Sequence, residues 1–159
     1  PILQKISEYS QVSMAAMSDI VWMINARNDA FENIISRMRN LAAEIFEAKN
    51  YALHLHFDEQ LQQLTLNMEQ RKNFYLIYKE AINNVAKYAD CHNVWITLKK
   101  ENNAILLIVK DDGIGFTMNG QSKGNGLYNM QKRTEVLKGK LTIDSIIGKG
   151  TTIQLLFNS

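Results

Sequence analysis

The chain has a single cysteine, Cys91, so it can form no internal disulfide. With no Cys or His partners at ligand spacing, that thiol has no zinc site to join. A reducing cytoplasmic setting fits this usage. Long apolar runs are missing too: none approaches the roughly 20 residues that cross a bilayer, and the first residues lack the basic-then-apolar order of a signal sequence. Charge of one sign is scarce. The 18 Lys and Arg against 16 Asp and Glu leave a formal net charge of +2, and the cations are scattered rather than gathered into a stripe, so no nucleic-acid partner is expected. What is present, 159 residues with 46% hydrophobic and 21% charged side chains, suits one globular domain with a sizeable core and at most one appended element.

From Ile2 to Ile24, apolar residues recur at three- and four-residue steps, including Ile6, Tyr9, Met17, Ile20, Val21 and Ile24, which predicts an amphipathic helix. Ser10 and Ser13 interrupt its seam, so a strong isolated coiled coil is not expected. The stripe either meets a partner helix or second subunit, or covers the chain's own domain. Asn28-Asp29 breaks the pattern, and Asp29 with Glu32 reads as a capping-box variant. It opens a second helix through Phe31, Ile34, Ile35, Met38, Ala42 and Phe46, ending near Asn50. Tyr51 to Phe57 alternates, with Leu53, Leu55 and Phe57 opposite His54 and His56, as a half-buried strand does. A shorter strand is expected around Leu64 to Leu66.

A third helix is predicted over Glu69 to Asp90, then strands over Val94 to Lys99 and Ile105 to Lys110 joined at Glu101-Asn102-Asn103. Asp111 to Asn125, rich in Gly, Asp, Asn and Ser, reads as a loop. A fourth helix spans about Gly126 to Leu137, ended by Gly139. Strands over Lys140 to Ser145 and Thr151 to Phe157, joined by Gly-Lys-Gly, complete the chain. This order predicts an α+β fold: a sandwich whose mixed, largely antiparallel sheet is covered by helices, preceded by the amphipathic helix.

Four short stretches carry chemistry. On the third helix Glu80, Asn84 and Lys87 are four and three residues apart, one stripe of an α-helix. They supply a carboxylate base, a neutral oxygen ligand for a hard cation, and an ammonium for phosphate. Taken alone, such a stripe is usually a solvated helix face. Asp111 ends a strand and opens Asp111-Asp112-Gly113-Ile114-Gly115-Phe116, where the carboxylate can accept from an amino group and the glycines allow close backbone approach. An ordinary Asp-Gly turn has the same letters. Gly124-Asn125-Gly126-Leu127 opens a helix, whose terminal amides suit phosphate oxygens, with Lys123 adding a cation. No Gly-Lys-Ser/Thr follows, so it is not a P-loop. Gly148-Lys149-Gly150-Thr151 joins two strands and is readable as a hairpin turn.

In this order the four stretches resemble the GHKL ATPase superfamily, which has the Bergerat fold, over roughly Glu69 to Phe157. Glu80 to Ala89 is similar to the N box of histidine kinases of the nitrate-sensor and desaturase-sensor type. Asp111-x-Gly113-x-Gly115, Gly124-x-Gly126-Leu127 and Gly148-x-Gly150-Thr151 are similar to the successive glycine boxes. Position 88 is Tyr where many relatives have His, and no separate Phe-rich box lies between the first two glycine boxes. The resemblance implies ATP and Mg²⁺, with Asn84 on the metal, Glu80 helping to activate the nucleophile, Asp111 reading the adenine amino group and Lys87 near the phosphates. It places Thr151 near adenine and makes Phe116 to Lys123 a short lid.

Ser18 to Asp29 resembles the segment after the second helix of the dimerisation hairpin in such sensor kinases. Residues 1–28 would then be a remnant of that helix, and residues 29–159 the catalytic domain. None of His54, His56 or His92 has the context of a phosphoacceptor, so the histidine that receives the phosphoryl group is expected on a helix outside this chain. The implied partners are that helix, a response regulator and, through the N-terminal helix, a second copy. The implied location is the cytoplasmic part of a membrane-anchored sensor. Alternatives using the same site are a serine kinase of the anti-sigma type and a non-catalytic nucleotide-gated interaction module.

Overall fold

The computed structural model describes residues 1–25, 30–118 and 124–159. Helix α1 (Ile2–Ile24) is followed by α2 (Phe31–Ala48), β1 (Ala52–Phe57), a 3-10 turn (Glu59–Gln63) and α3 (Met68–Asn84). A π turn (Val85–Ala89), β2 (Asn93–Glu101), β3 (Ala104–Asp111), α4 (Gly126–Val136), β4 (Lys140–Ile146) and β5 (Gly150–Asn158) complete it. The strands form one sheet in the order β1-β2-β3-β5-β4. β1 and β2 run parallel and the other neighbours antiparallel. The parallel pair follows from α3, because strands that run the same way need a crossover and α3 lies between them in sequence. This is the expected α+β sandwich.

Alternation along the strands sets the core. Val94, Ile96 and Leu98 of β2, Ile105, Leu107 and Val109 of β3, and Ile153, Leu155 and Phe157 of β5 are all buried. They meet Phe31, Ile34, Met38 and Phe46 of α2 and Phe74, Ile77, Tyr78 and Ile82 of α3 in one apolar cluster, each such side chain contributing on the order of 1.5–3 kcal/mol. Phe74 links the layers, with its ring centroid 5.9 Å from Phe31 and 5.4 Å from Phe157. The buried Tyr78 hydroxyl donates to the Met38 carbonyl at 2.6 Å, so no polar group is stranded there.

Several local expectations change. The stretch Leu64 to Leu66 is not a strand: Thr65 makes an isolated bridge to Ala30, and the turn before it is 3-10. Asp29 lies outside the described residues, and α2 starts after Ala30 with no side-chain cap. A capping box does occur one helix later, where Asn67 and Gln70 accept from each other's backbone N–H at 2.8 and 3.2 Å. The third helix does not run as α-helix to Asp90, because its last turn is π and Asp90 takes a left-handed φ of 46°. At the end of α4 it is Lys138, not Gly139, that takes the left-handed conformation, with φ 52°. Gly139 is needed for closeness: a β-carbon there would sit 2.6 Å from the Leu156 carbonyl oxygen.

Helix α1 does not cover its own domain. Ile2, Leu3, Ile6, Tyr9, Val12, Met14, Met17 and Ile20 are all exposed, and the buried residues of α1 are Asp19 and Met23. Among the described residues no helix is long and apolar enough to cross a membrane.

Candidate functional site

Asp111 is the last inward-pointing residue of β3, since positions 105, 107 and 109 face the core and alternation carries 111 with them. Its side chain is therefore buried at a strand end, 3% exposed. One carboxylate oxygen, Oδ1, accepts from the Gly113 N–H at 2.8 Å and the Thr151 N–H at 3.3 Å. Burial pushes the Asp111 carboxyl above its ordinary range, and these two donors only partly pull it back. A carboxylate fixed through one oxygen can use its other oxygen as an acceptor.

Glycines make this corner possible. A β-carbon at Gly150, whose φ is 92°, would stand 2.1 Å from the Asp111 carbonyl oxygen, and one at Gly113 would stand 2.1 Å from the Ala89 carbonyl oxygen. The π turn presents that Ala89 carbonyl, which accepts from Ile114 N–H at 2.8 Å and ties α3 to the loop after β3. Asp112, by contrast, points away. It accepts from the backbone N–H of His92 and Asn93 and from the Asn93 side chain, all at 2.9 Å. Burial opposes its ionisation, but the hydrogen bonds from Asn93 and His92 win and hold the carboxyl down to about 2.

Beside Asp111 lies a cavity of about 530 Å³. Asn84, Asp111, Gly115, Gly126, Leu127 and Thr151 line it, together with Tyr88, Ile114, Phe116, Thr117 and Met118. Six of the lining residues are ones the motifs single out, and the described start of the expected lid, Phe116 to Met118, lines the cavity as well; the sequence did not mark the exposed apolar side chains of Ile114, Phe116 and Met118 as its rim. Glu80 lines an adjoining cleft of about 220 Å³ with Lys79, Asn83 and Arg133. Its carboxylate abuts the first turn of α4, where a β-carbon on Gly126 would lie 2.1 Å from Oε1.

Lys87 is exposed and is not among the residues lining the cavity. The four-then-three spacing assumes an unbroken α-helix, and the π turn at Val85 breaks it. Gly113 packs beneath Ala89 rather than facing the cavity. Gly124 has φ 92° and nothing near its absent side chain, and Lys123 lies outside the described residues. Ser145 went unnoticed in the sequence. Its hydroxyl accepts from Phe116 N–H at 2.9 Å and shares a 2.8 Å hydrogen bond with the Thr151 hydroxyl, joining the loop to β5.

Residues 69–159 match the family described as histidine kinase-, DNA gyrase B-, and HSP90-like ATPase. That is more than half of the chain, and the chain belongs to this ATPase family. The oxygen sensor histidine kinase NreB of Staphylococcus carnosus is 33% identical over 109 residues, covering 67% of this chain and 31% of that protein. The chain thus spans about a third of the length of that curated relative. Among solved structures, the histidine kinase domain of the Erythrobacter litoralis blue-light activated histidine kinase superposes with a TM-score of 0.68 at 15% identity, over 79% of this chain and 60% of that one. The Acinetobacter baumannii histidine kinase AdeS gives 0.69 at 14% identity, over 98% of this chain and 83% of that one. At these identities the likeness is one of fold, and with AdeS it extends over 98% of this chain.

Proposed function

We propose that this chain is the ATP-binding, phosphoryl-donor part of a two-component sensor histidine kinase. Residues 29–159 are its catalytic domain, and residues 1–28 are the remnant of a dimerisation helix. The observation that carries the reading is the buried Asp111 carboxylate, clamped by Gly113 and Thr151 at the edge of a cavity that Asn84 and Gly126 also line. Such a carboxylate accepts from the adenine amino group, and its clamp leaves little freedom to reorient. Thr151 lies beside it for a further contact at the base.

The residues present fit nucleotide and metal. Gly126 lacks the side chain that would fill the first turn of α4, so backbone amides there can face phosphate oxygens, with Gly124 and Leu127 flanking them. Gly113 and Gly115 give the loop its close approach to neighbouring backbone. Asn84 offers a neutral oxygen on the cavity wall, and Mg²⁺ commonly takes few protein ligands beside phosphate oxygens and water. Bound there, Mg²⁺ supplies neutralisation of charge on the phosphates. Glu80 holds its carboxylate at the opening of α4, where it can orient or deprotonate the attacking nitrogen. Lys87 and Lys123 are the cations this reading assigns to the phosphates.

The phosphoryl group passes to a histidine on a helix outside residues 1–159, and from there to a response regulator. The exposed stripe of α1 suits a second copy of the same helix, and the whole kinase is read as membrane-anchored with this part in the cytoplasm. The similarity to NreB favours this reading over a serine kinase or a non-catalytic module using the same site. Calorimetric titration with ATP and magnesium tests the site. Binding that requires magnesium and weakens at least tenfold in Asn84→Ala supports it, and no binding by the intact chain overturns it.

A further inference from the structure

Helix α1 touches the rest of the molecule through its last two turns. There Asp19, 7% exposed, places its carboxylate between two cations from different helices: Oδ1 pairs with Arg37 of α2, and Oδ2 with Lys79 of α3 at 2.5 Å. The Arg37 guanidinium also lies over the rings of Trp22, 4.8 Å to the centroid, and Tyr75, 5.5 Å. Trp22 and Tyr75 face each other at 5.8 Å. One residue further on, the Met23 carbonyl accepts from the buried Arg71 of α3, with Nε at 3.2 Å. The seventeen residues before Asp19 that belong to α1 have no buried member.

This is a small plug in a specific socket, at the end of a long unsupported helix. A lever held at one end by a few contacts transmits any displacement to them. The socket is not neutral ground either. Lys79 is bonded to Glu80, both line the same cleft, and the Glu80 carboxylate abuts Gly126, which opens α4 on the nucleotide cavity. Asp19, Lys79–Glu80 and Gly126 thus form one short chain of contacts from α1 to the site.

We propose that the last two turns of α1 are a releasable latch, held by Asp19 and Trp22, whose docking is linked to nucleotide binding through Lys79 and Glu80. The linkage rests on the nucleotide reading of the site. Docked, the latch fixes the turn of α3 on which Glu80 sits. Released, it frees that turn to adapt to a bound nucleotide, so release and binding favour each other. The linkage is reciprocal: whatever nucleotide does to the latch, undoing the latch does to nucleotide affinity by the same factor.

The test uses the 159-residue chain with Trp95→Phe, which leaves Trp22 as the single tryptophan. Acrylamide quenching of Trp22 reads the latch, and titration with a non-hydrolysable ATP analogue and magnesium reads the site. Asp19→Asn should raise the quenching constant at least twofold. The analogue should raise it in the parent and leave it unchanged in Asp19→Asn. Affinity should tighten at least threefold in Asp19→Asn, and also in Trp22→Ala, which removes no charge and needs no fluorescence. Unchanged quenching in a folded Asp19→Asn variant overturns the latch. Tightening in Asp19→Asn without tightening in Trp22→Ala overturns the linkage, because a purely electrostatic effect would do that. If Asp19→Asn fails to fold, Trp22→Ala decides the linkage in the same way. A chain that binds no analogue at all contradicts the nucleotide reading instead, and the quenching of Asp19→Asn still decides the latch.

Discussion

The Glu80 carboxylate and Gly126 occupy one another's space: a β-carbon on Gly126 would lie 2.1 Å from Glu80 Oε1 and 3.0 Å from its carboxyl carbon. The two residues are 46 positions apart, and their contact joins the helix that carries Glu80 and Asn84 to the helix whose first turn opens on the cavity.

Gly126→Ala therefore separates stability from activity. The atom in the way is the far end of a flexible side chain, so Glu80 swings aside and the fold loses no more than about 1 kcal/mol. A displaced base costs on the order of 10²-fold in phosphoryl transfer. Urea unfolding and single-turnover transfer rates check the two halves.

The glycines around Asp111 behave differently, because backbone atoms stand in the way. Gly150→Ala would meet the Asp111 carbonyl oxygen at 2.1 Å from a φ of 92° and is expected to destabilise by about 2–4 kcal/mol. Gly148→Ala, at φ 78° with open space around it, should cost about 1–2 kcal/mol. Equal losses in the two variants, measured by denaturant midpoint, would show that backbone crowding is not what Gly150 relieves.

Asp111 should make nucleotide affinity depend on pH. Burial raises its carboxyl above the ordinary range, so the acceptor form is lost on acidification sooner than for a solvated aspartate. A folded-state pKa above the unfolded one means that Asp111 favours folding at low pH, and that this contribution is lost as pH rises through the raised value. Asp111→Asn should accordingly fold well at neutral pH, lose about 1.5–3 kcal/mol of nucleotide binding and flatten its acid limb.

Asp112 has the opposite sign. Its folded pKa of about 2 lies below the unfolded value of about 4. Its contribution is present above the higher figure and is lost as pH falls through the lower one. Asp112→Asn should remove that dependence from the acid unfolding curve while leaving nucleotide binding at pH 7 within twofold.

Much of this was legible because local periodicity decided it. The buried faces of α2 and of β2, β3 and β5 follow directly from apolar spacing, and the parity that buries Val109 also buries Asp111. The π turn was not legible, since Val85 to Ala89 carries the same letters an α-helix would, and with it went the placing of Lys87. The capping box at Asn67 and Gln70 was written in the sequence, but its cap lies two residues ahead of Glu69, where the third helix was expected to begin. Asp19 was out of reach for another reason: its partners stand 18 and 60 residues away, and only the packing of three helices brings them together.

The central claim is that this site donates phosphoryl groups to histidine. A separately made fragment carrying the phosphoacceptor helix, incubated with this chain, ATP and magnesium, should acquire phosphate that is labile in acid and stable in base, and Asn84→Ala should abolish the transfer. Magnesium-dependent nucleotide binding with no such phosphate on the histidine helix, or transfer that survives Asn84→Ala, would contradict the account.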